Sequence, residues 1–162
     1  SFTEISDKLQ KEHRWTVQGI REALSPLGSV TEGSCSLLSL GALQHLDTPL
    51  QLDSKMPLGF TQCVLALHPT PALGVYPKEV GLAWLKAYDQ KLPRHCFGAP
   101  IGCIDPATGR SVCYVAIRQI AWGDFGLRLF AGCGITEESD LREEWEEILL
   151  KFQSIRSLFF SE

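Results

Sequence analysis

The chain has 162 residues, 44% of them hydrophobic and 21% charged, which suits one soluble domain with a core of its own. A formal charge of −4 with no Lys/Arg-dense stretch excludes the electrostatics of a nucleic-acid partner. No apolar run reaches membrane-span length and no signal-peptide pattern is present, so no membrane partner is expected.

Cys35, Cys63, Cys96, Cys103, Cys113 and Cys133 are scattered with no C-x-x-C pair. Irregular spacing in a chain with ample core favours reduced, mostly buried thiols, and with them a cytosolic location. The chain opens on Ser1 and runs almost directly into a helix, as the tail of a longer polypeptide would.

From Glu4 to Leu24 the apolar residues Ile5, Leu9, Val17, Ile20 and Leu24 keep helical spacing, with Glu12 at the edge of that stripe. Ser25-Pro26-Leu27-Gly28 ends this helix. Residues 29–55 read as short strands and turns, among them Leu43-Gln44-His45-Leu46, and Leu58 to Leu67 as a short helix. Two prolines keep His68-Pro69-Thr70-Pro71-Ala72-Leu73-Gly74 irregular. Pro77 suits the first turn of a helix to about Lys91, with Val80, Ala83, Trp84 and Ala87 as its buried stripe.

Ala99 to Ile104 and Ser111 to Ile117 predict a hairpin around Asp105-Pro106-Ala107-Thr108-Gly109. Phe125 to Ala131 predicts a further strand, running into Gly132-Cys133-Gly134. The last helix starts near Asp140, where Asp140 and Glu143 resemble a capping box, and should bury Leu141, Trp145, Ile148, Leu149 and Phe152. Helices around a mostly antiparallel sheet make the class α+β, with residues 1–162 as one unit.

Chemistry concentrates at the end of the chain. Glycines let a ligand approach the backbone, and free N–H groups near a helix start suit an anion. Glu144 and Glu147, one turn apart, offer oxygen ligands to a hard cation such as Mg²⁺, with Lys151 on the same face. A solvated face with an i,i+4 ion pair would show the same spacing.

Seven segments in register carry a resemblance: K-E-H near the start, then Q-H-L-D-T, L-H-P-T-P-A-L-G, Y-P-K, V-A-I-R, L-R-L-F-A-G-C-G-I and E-W-E-E-I-x-x-K. In this order they resemble the C-terminal part of isochorismate synthases, members of the chorismate-utilising enzymes, over essentially the whole chain. The resemblance implies an anthranilate synthase-like fold and chorismate or isochorismate as ligand. It implies that Glu12 and Glu147 bind a Mg²⁺ that holds the ring carboxylate, with Glu144 beside them directly or through water. Arg118 would grip the enolpyruvyl carboxylate. Gly132 and Gly134 would offer backbone N–H groups to a substrate carboxylate, with Lys151 near them. His45 would lie close to the ring as the one catalytic-site histidine.

Ala72, within P-A-L-G, matches isochorismate formers rather than the threonine-bearing relatives that eliminate pyruvate. Phe97 stands where several relatives have tyrosine, Cys133 where alanine is usual, and Leu9 where an aspartate is common. The general base lysine and general acid glutamate of the family match nothing here. They are expected in an upstream segment of the same parent polypeptide, which leaves this segment inactive alone. Competing readings are a salicylate synthase or amine-adding relative, a non-catalytic chorismate-binding remnant, and a cysteine hydrolase using Cys133. His45 and His68 have a duller reading as core histidines satisfied by backbone, the preferred one for His68.

Overall fold

Ser6 starts the first helix: its hydroxyl accepts the Leu9 N–H at 3.2 Å, and α1 runs Asp7–Leu24. The structure is a computed structural model that describes residues 6–40 and 43–159. Ser1, Glu4 and Ile5 lie outside the described residues. A 3₁₀ turn at Ser25–Leu27 follows α1, as the Ser-Pro-Leu-Gly sequence requires.

The strands come in pairs. β1 (Gly28–Glu32) runs antiparallel to β4 (Leu50–Ser54), and between them lies the hairpin of β2 (Ser36–Leu40) and β3 (Leu43–Asp47). Leu38 faces His45 across that hairpin. Helix α2 (Phe60–Leu67) starts two residues later than the sequence predicts, at Gly59, whose N–H donates to the Gln62 side chain at 2.8 Å. The proline-rich segment is irregular as expected. Lys78 Nζ donates to the His68 carbonyl at 3.1 Å and Arg94 Nη1 to the Leu73 carbonyl at 2.6 Å, fastening it from two sides.

Helix α3 (Lys78–Lys91) has Pro77 as its N-cap, one position earlier than the predicted first turn. The predicted hairpin is present as β5 (Pro100–Ile104) and β6 (Ser111–Val115), with Asp105 accepting from Ala107 and Thr108 in the turn. The next strand is shorter than expected. Phe125 belongs to a turn, β8 spans only Gly126–Leu129, and it pairs with β7 (Ile120–Gly123), which the sequence reading missed. Helix α4 (Leu141–Phe159) is capped by Asp140 Oδ1, which accepts the Arg142 and Glu143 N–H groups at 2.9 and 3.1 Å. The class is α+β, with antiparallel pairing in every strand pair among the described residues.

The apolar stripes of both late helices are more exposed than expected. In α3 the predicted stripe of Val80, Ala83, Trp84 and Ala87 faces out, Trp84 being 64% exposed, and Leu85 is the buried residue. In α4, Leu141, Trp145 and Leu149 face out, while Ile148 and Phe152 are half-buried. The inward face is Glu144, Glu147, Lys151 and Ile155, spaced three or four residues apart as one helix face must be. The thiols differ too: all six are free, but only Cys63 and Cys133 are partly buried and the other four are exposed.

The cause is an open architecture. Accessible surface is 12000 Å², against about 8,000 Å² expected for a folded monomer of this mass. Among the described residues Leu24, Leu85 and Ile155 are the buried hydrophobic residues. The apolar stripes therefore exist, but no described element covers them.

This openness has an optical signature. All four tryptophans are between 40% and 80% exposed. The 162-residue chain in dilute solution should emit red-shifted fluorescence readily quenched by acrylamide, and should bind a hydrophobic dye. Blue-shifted, protected emission from a monomer would contradict the arrangement of α3 and α4.

Candidate active site

Helix α1, from the other end of the chain, meets α4 at the Gly132-Cys133-Gly134 turn that follows β8. Glu12 comes from α1, and its carboxylate lies against Gly134. A Cβ at position 134 would stand 3.0 Å from the Glu12 carboxyl carbon, closer than ordinary packing allows. Gly134 is thus the cradle of the Glu12 carboxylate. Gly132 is different, since a Cβ there would only touch the Phe97 ring at 3.5 Å.

Lys8, one turn before Glu12, reaches across to α4. Its ammonium hydrogen-bonds Glu144 Oε1 and stands 3.4 Å from Glu12 Oε1. At 3.4 Å the second contact is Coulombic attraction without hydrogen-bond geometry. Glu12 Oε1 and Glu144 Oε2 are accordingly buried with no hydrogen-bond partner among the described residues. Lys151 fastens the other side: its Nζ donates to the Gly132 carbonyl at 2.7 Å and pairs with Glu147 at 2.5 Å.

The electrostatics follow from this crowding. Burial pushes the Glu12 carboxyl up; Lys8 works against that, and the nearby Glu147 and Glu144 carboxylates add to it. Burial would raise Glu144 as well, but the Lys8 ammonium on its Oε1, with the Ser139 hydroxyl and Cys133 thiol nearby, outweighs it and holds its pKa below the usual value. Burial lowers the Lys8 ammonium less than Glu144 and Glu12 raise it, so Lys8 stays charged. Burial beside Glu144 pushes the Cys133 thiol up, which is the wrong direction for a nucleophile.

These residues suit a hard divalent cation. All candidate donors are carboxylate oxygens, two of them orphaned in the interior, and Glu12 is destabilised by its like-charged neighbours. Among the described residues no three acidic, histidine or cysteine side chains are placed to hold an ion together, and Lys8 stands between Glu12 and Glu144.

Arg118 and His45 form the adjoining part. The strand expected to end at Arg118 stops at Val115, and Arg118 adopts a left-handed backbone with φ of 51°. That conformation is uncommon for arginine and marks a constrained position. Its Nη2 donates to His45 Nε2, which fixes the His45 proton on Nδ1. Burial pushes the His45 pKa down, Arg118 and Lys151 push it further, and Glu147 opposes them. His45 is therefore a neutral ring.

Phe97 stacks on Phe130 at 6.1 Å and forms the wall beside Gly132. Ala72 is exposed on the proline-rich loop, whose contacts run to Arg94 and Gly98, and no described contact ties it to the carboxylates. His68 is not a core histidine. Its side chain is exposed, while its backbone N–H donates to Val64 and its carbonyl accepts from Lys78. Sequence reasoning missed Lys8, Ser139 and the partner of His13, whose Nε2 lies 2.7 Å from the Thr48 hydroxyl and ties α1 to the turn before β4. Only Lys8 carried a local signal, its i,i+4 spacing to Glu12.

A family model for chorismate binding enzymes matches residues 4–159, so the chain belongs to that family. It is 34% identical over 153 residues to a salicylate biosynthesis isochorismate synthase of Pseudomonas aeruginosa, covering 93% of this chain and 32% of the relative. It is 30% identical over 159 residues to the isochorismate synthase EntC of Escherichia coli K12, covering 95% and 39%. A crystal structure from Bacillus anthracis, described as a 2,3-dihydroxybenzoate-specific isochorismate synthase, matches with a TM-score of 0.82 at 29% identity, over 94% of this chain and 41% of that one. The chain thus spans about a third of the length of the curated relatives it matches. None of its described helices is long and apolar enough to cross a membrane.

The neutral state of His45 is measurable. Its pKa lies below the ordinary histidine value of about 6.5, so as pH falls through that value the unfolded chain gains a proton before the folded one does. Stability contributed by the neutral ring is complete at high pH and is lost between about 6.5 and the lower folded pKa. Arg118→Ala should move the His45 NMR titration toward the ordinary value. An unshifted titration would break the pairing.

Proposed function

We propose that this chain is the cation- and carboxylate-holding portion of a Mg²⁺-dependent enzyme that interconverts chorismate and isochorismate. The observation that carries the reading is the Glu12 carboxylate against the Gly134 cradle, with the Glu144 and Glu147 carboxylates near enough to push its pKa up and His45 within electrostatic reach of Arg118, Lys151 and Glu147. Identity of 34% and 30% to proteins named isochorismate synthases supports it.

Bound Mg²⁺ would supply positive charge to fix and polarise the ring carboxylate. The chain's own residues do the rest of the holding. Arg118 offers a guanidinium fork to the enolpyruvyl carboxylate, and its left-handed backbone fixes where the fork points. His45, neutral and oriented by Arg118, presents its Nδ1–H as a donor without adding charge. Lys151, anchored on the Gly132 carbonyl, holds the glycine turn to α4, and the stacked Phe97 and Phe130 rings exclude water beside it. Rigid positioning of this kind lowers the barrier by fixing the ring before reaction.

The proton-transferring lysine and glutamate of the resemblance belong, on this reading, to an upstream segment of the parent polypeptide. The 162 residues alone should then bind without turnover. Ala72 in P-A-L-G favours isochorismate formation over pyruvate elimination. A cytosolic setting, or a plastid in a plant, agrees with six free cysteines.

Three substitutions in the parent enzyme separate the roles. Arg118→Ala should raise KM for chorismate by the loss of a charge-assisted contact, about 1.5–3 kcal/mol, with the Mg²⁺ requirement little changed. Glu147→Gln should weaken the Mg²⁺ requirement's half-point and lower turnover, and Gly134→Ala, which crowds Glu12, should act in the same direction. Isochorismate formation titrated against both chorismate and Mg²⁺ tests this; identical defects in both titrations would refute the division.

A further inference from the structure

Lys8 belongs to neither the ring-gripping nor the carboxylate-donating set, yet it stands between two of the three carboxylates. Its ammonium is hydrogen-bonded to Glu144, whose side chain is 4% exposed, and stands 3.4 Å from Glu12. We infer that Lys8 is the resting-state counter-ion of Glu12 and Glu144 and competes with the divalent cation for them, so that cation entry requires the Lys8 side chain to swing out. This rests on the cation-binding reading above.

Three observations point the same way. Glu144 Oε2 and Glu12 Oε1 remain buried and unpartnered with Lys8 in place, so one ammonium leaves the pair incompletely satisfied. Lys151 is anchored on both the Gly132 carbonyl and Glu147, whereas among the described residues the polar contacts of Lys8 are with the two carboxylates a cation would take. The Lys8 side chain is also 22% exposed at the end of a flexible four-carbon stem, which gives it a route to solvent.

Charge decides which lysine leaves. Three carboxylates, Lys151 and one divalent cation are neutral together. Retaining Lys8 would leave one positive charge in excess before any substrate carboxylate arrives. A surplus charge beside the buried Glu144 is costly, so the ammonium with a route to solvent yields.

The test uses the full-length polypeptide carrying this chain, with Mn²⁺ as the probe. Free Mn²⁺ is followed by electron paramagnetic resonance for the unsubstituted protein, Lys8→Met, Lys8→Arg and Glu147→Gln. Lys8→Met should bind Mn²⁺ about tenfold tighter, equivalent to about 1.4 kcal/mol, and should gain more in Tm from Mn²⁺ than the unsubstituted protein. Lys8→Arg should not gain affinity. A second measurement needs no variant: amine labelling read by mass spectrometry should show Lys8 becoming more reactive when Mn²⁺ is added, while Lys151 does not. If Glu147→Gln weakens Mn²⁺ but Lys8→Met binds no tighter, or Lys8 labelling is unchanged or reduced, the competition is wrong and the cation site stands. If no protein binds Mn²⁺ and Glu147→Gln is silent, the cation site itself is wrong and the competition falls with it.

Discussion

Three carboxylates drawn toward one glycine turn repel each other, and the arrangement of this chain depends on how that repulsion is held down. Two ammonium groups do it. Lys8 joins α1 to α4 through Glu12 and Glu144, and Lys151 joins α4 to the glycine turn through Glu147 and the Gly132 carbonyl. Among the described residues no other element packs extensively on α4, so these polar links carry much of its attachment. Removing one partner leaves the other charge uncompensated, most costly at Glu144, whose side chain is 4% exposed. The same residues that would hold a ligand thus position the last helix.

Local features were legible in the sequence and long-range ones were not. The four helices and the β5–β6 hairpin follow from periodicity, prolines and a turn-forming Asp-Pro-Ala-Thr-Gly, all of which act over a few residues. β7 was invisible because four residues, Ile120 to Gly123, give too short an alternation. The pairing of β1 with β4 encloses another hairpin, and nothing in either strand names its partner. Periodicity identified apolar faces on α3 and α4 correctly as apolar, yet it carries no information about whether this stretch of chain also supplies their cover.

The site shows the same split. Glu144, Glu147 and Lys151 share a face by helix geometry alone, so their grouping could be read directly. Glu12 entered only through the resemblance, and the structure brings it to that face from the other end of the chain. The Arg118–His45 bond joins residues 73 positions apart, and Arg118 takes a left-handed backbone that no pattern in V-A-I-R announces. Lys8 illustrates the limit: its pairing with Glu12 is an i,i+4 signal, while its stronger bond to Glu144 spans 136 positions.

The outward apolar stripe and the inward polar face of α4 are consequences of one another. A helix has a single circumference, and once Glu144, Glu147 and Lys151 are committed to the glycine turn, Leu141, Trp145 and Leu149 must point away from it. Their exposure leaves the carboxylate cluster near solvent, where charge attraction is weak. Covering that stripe would lower the local dielectric, strengthening the Lys8 and Lys151 pairs and any cation that replaces Lys8. Apolar burial on one side of α4 and electrostatic order on the other are therefore coupled through a single helix, and the quality of the site depends on what packs against the face that takes no part in it.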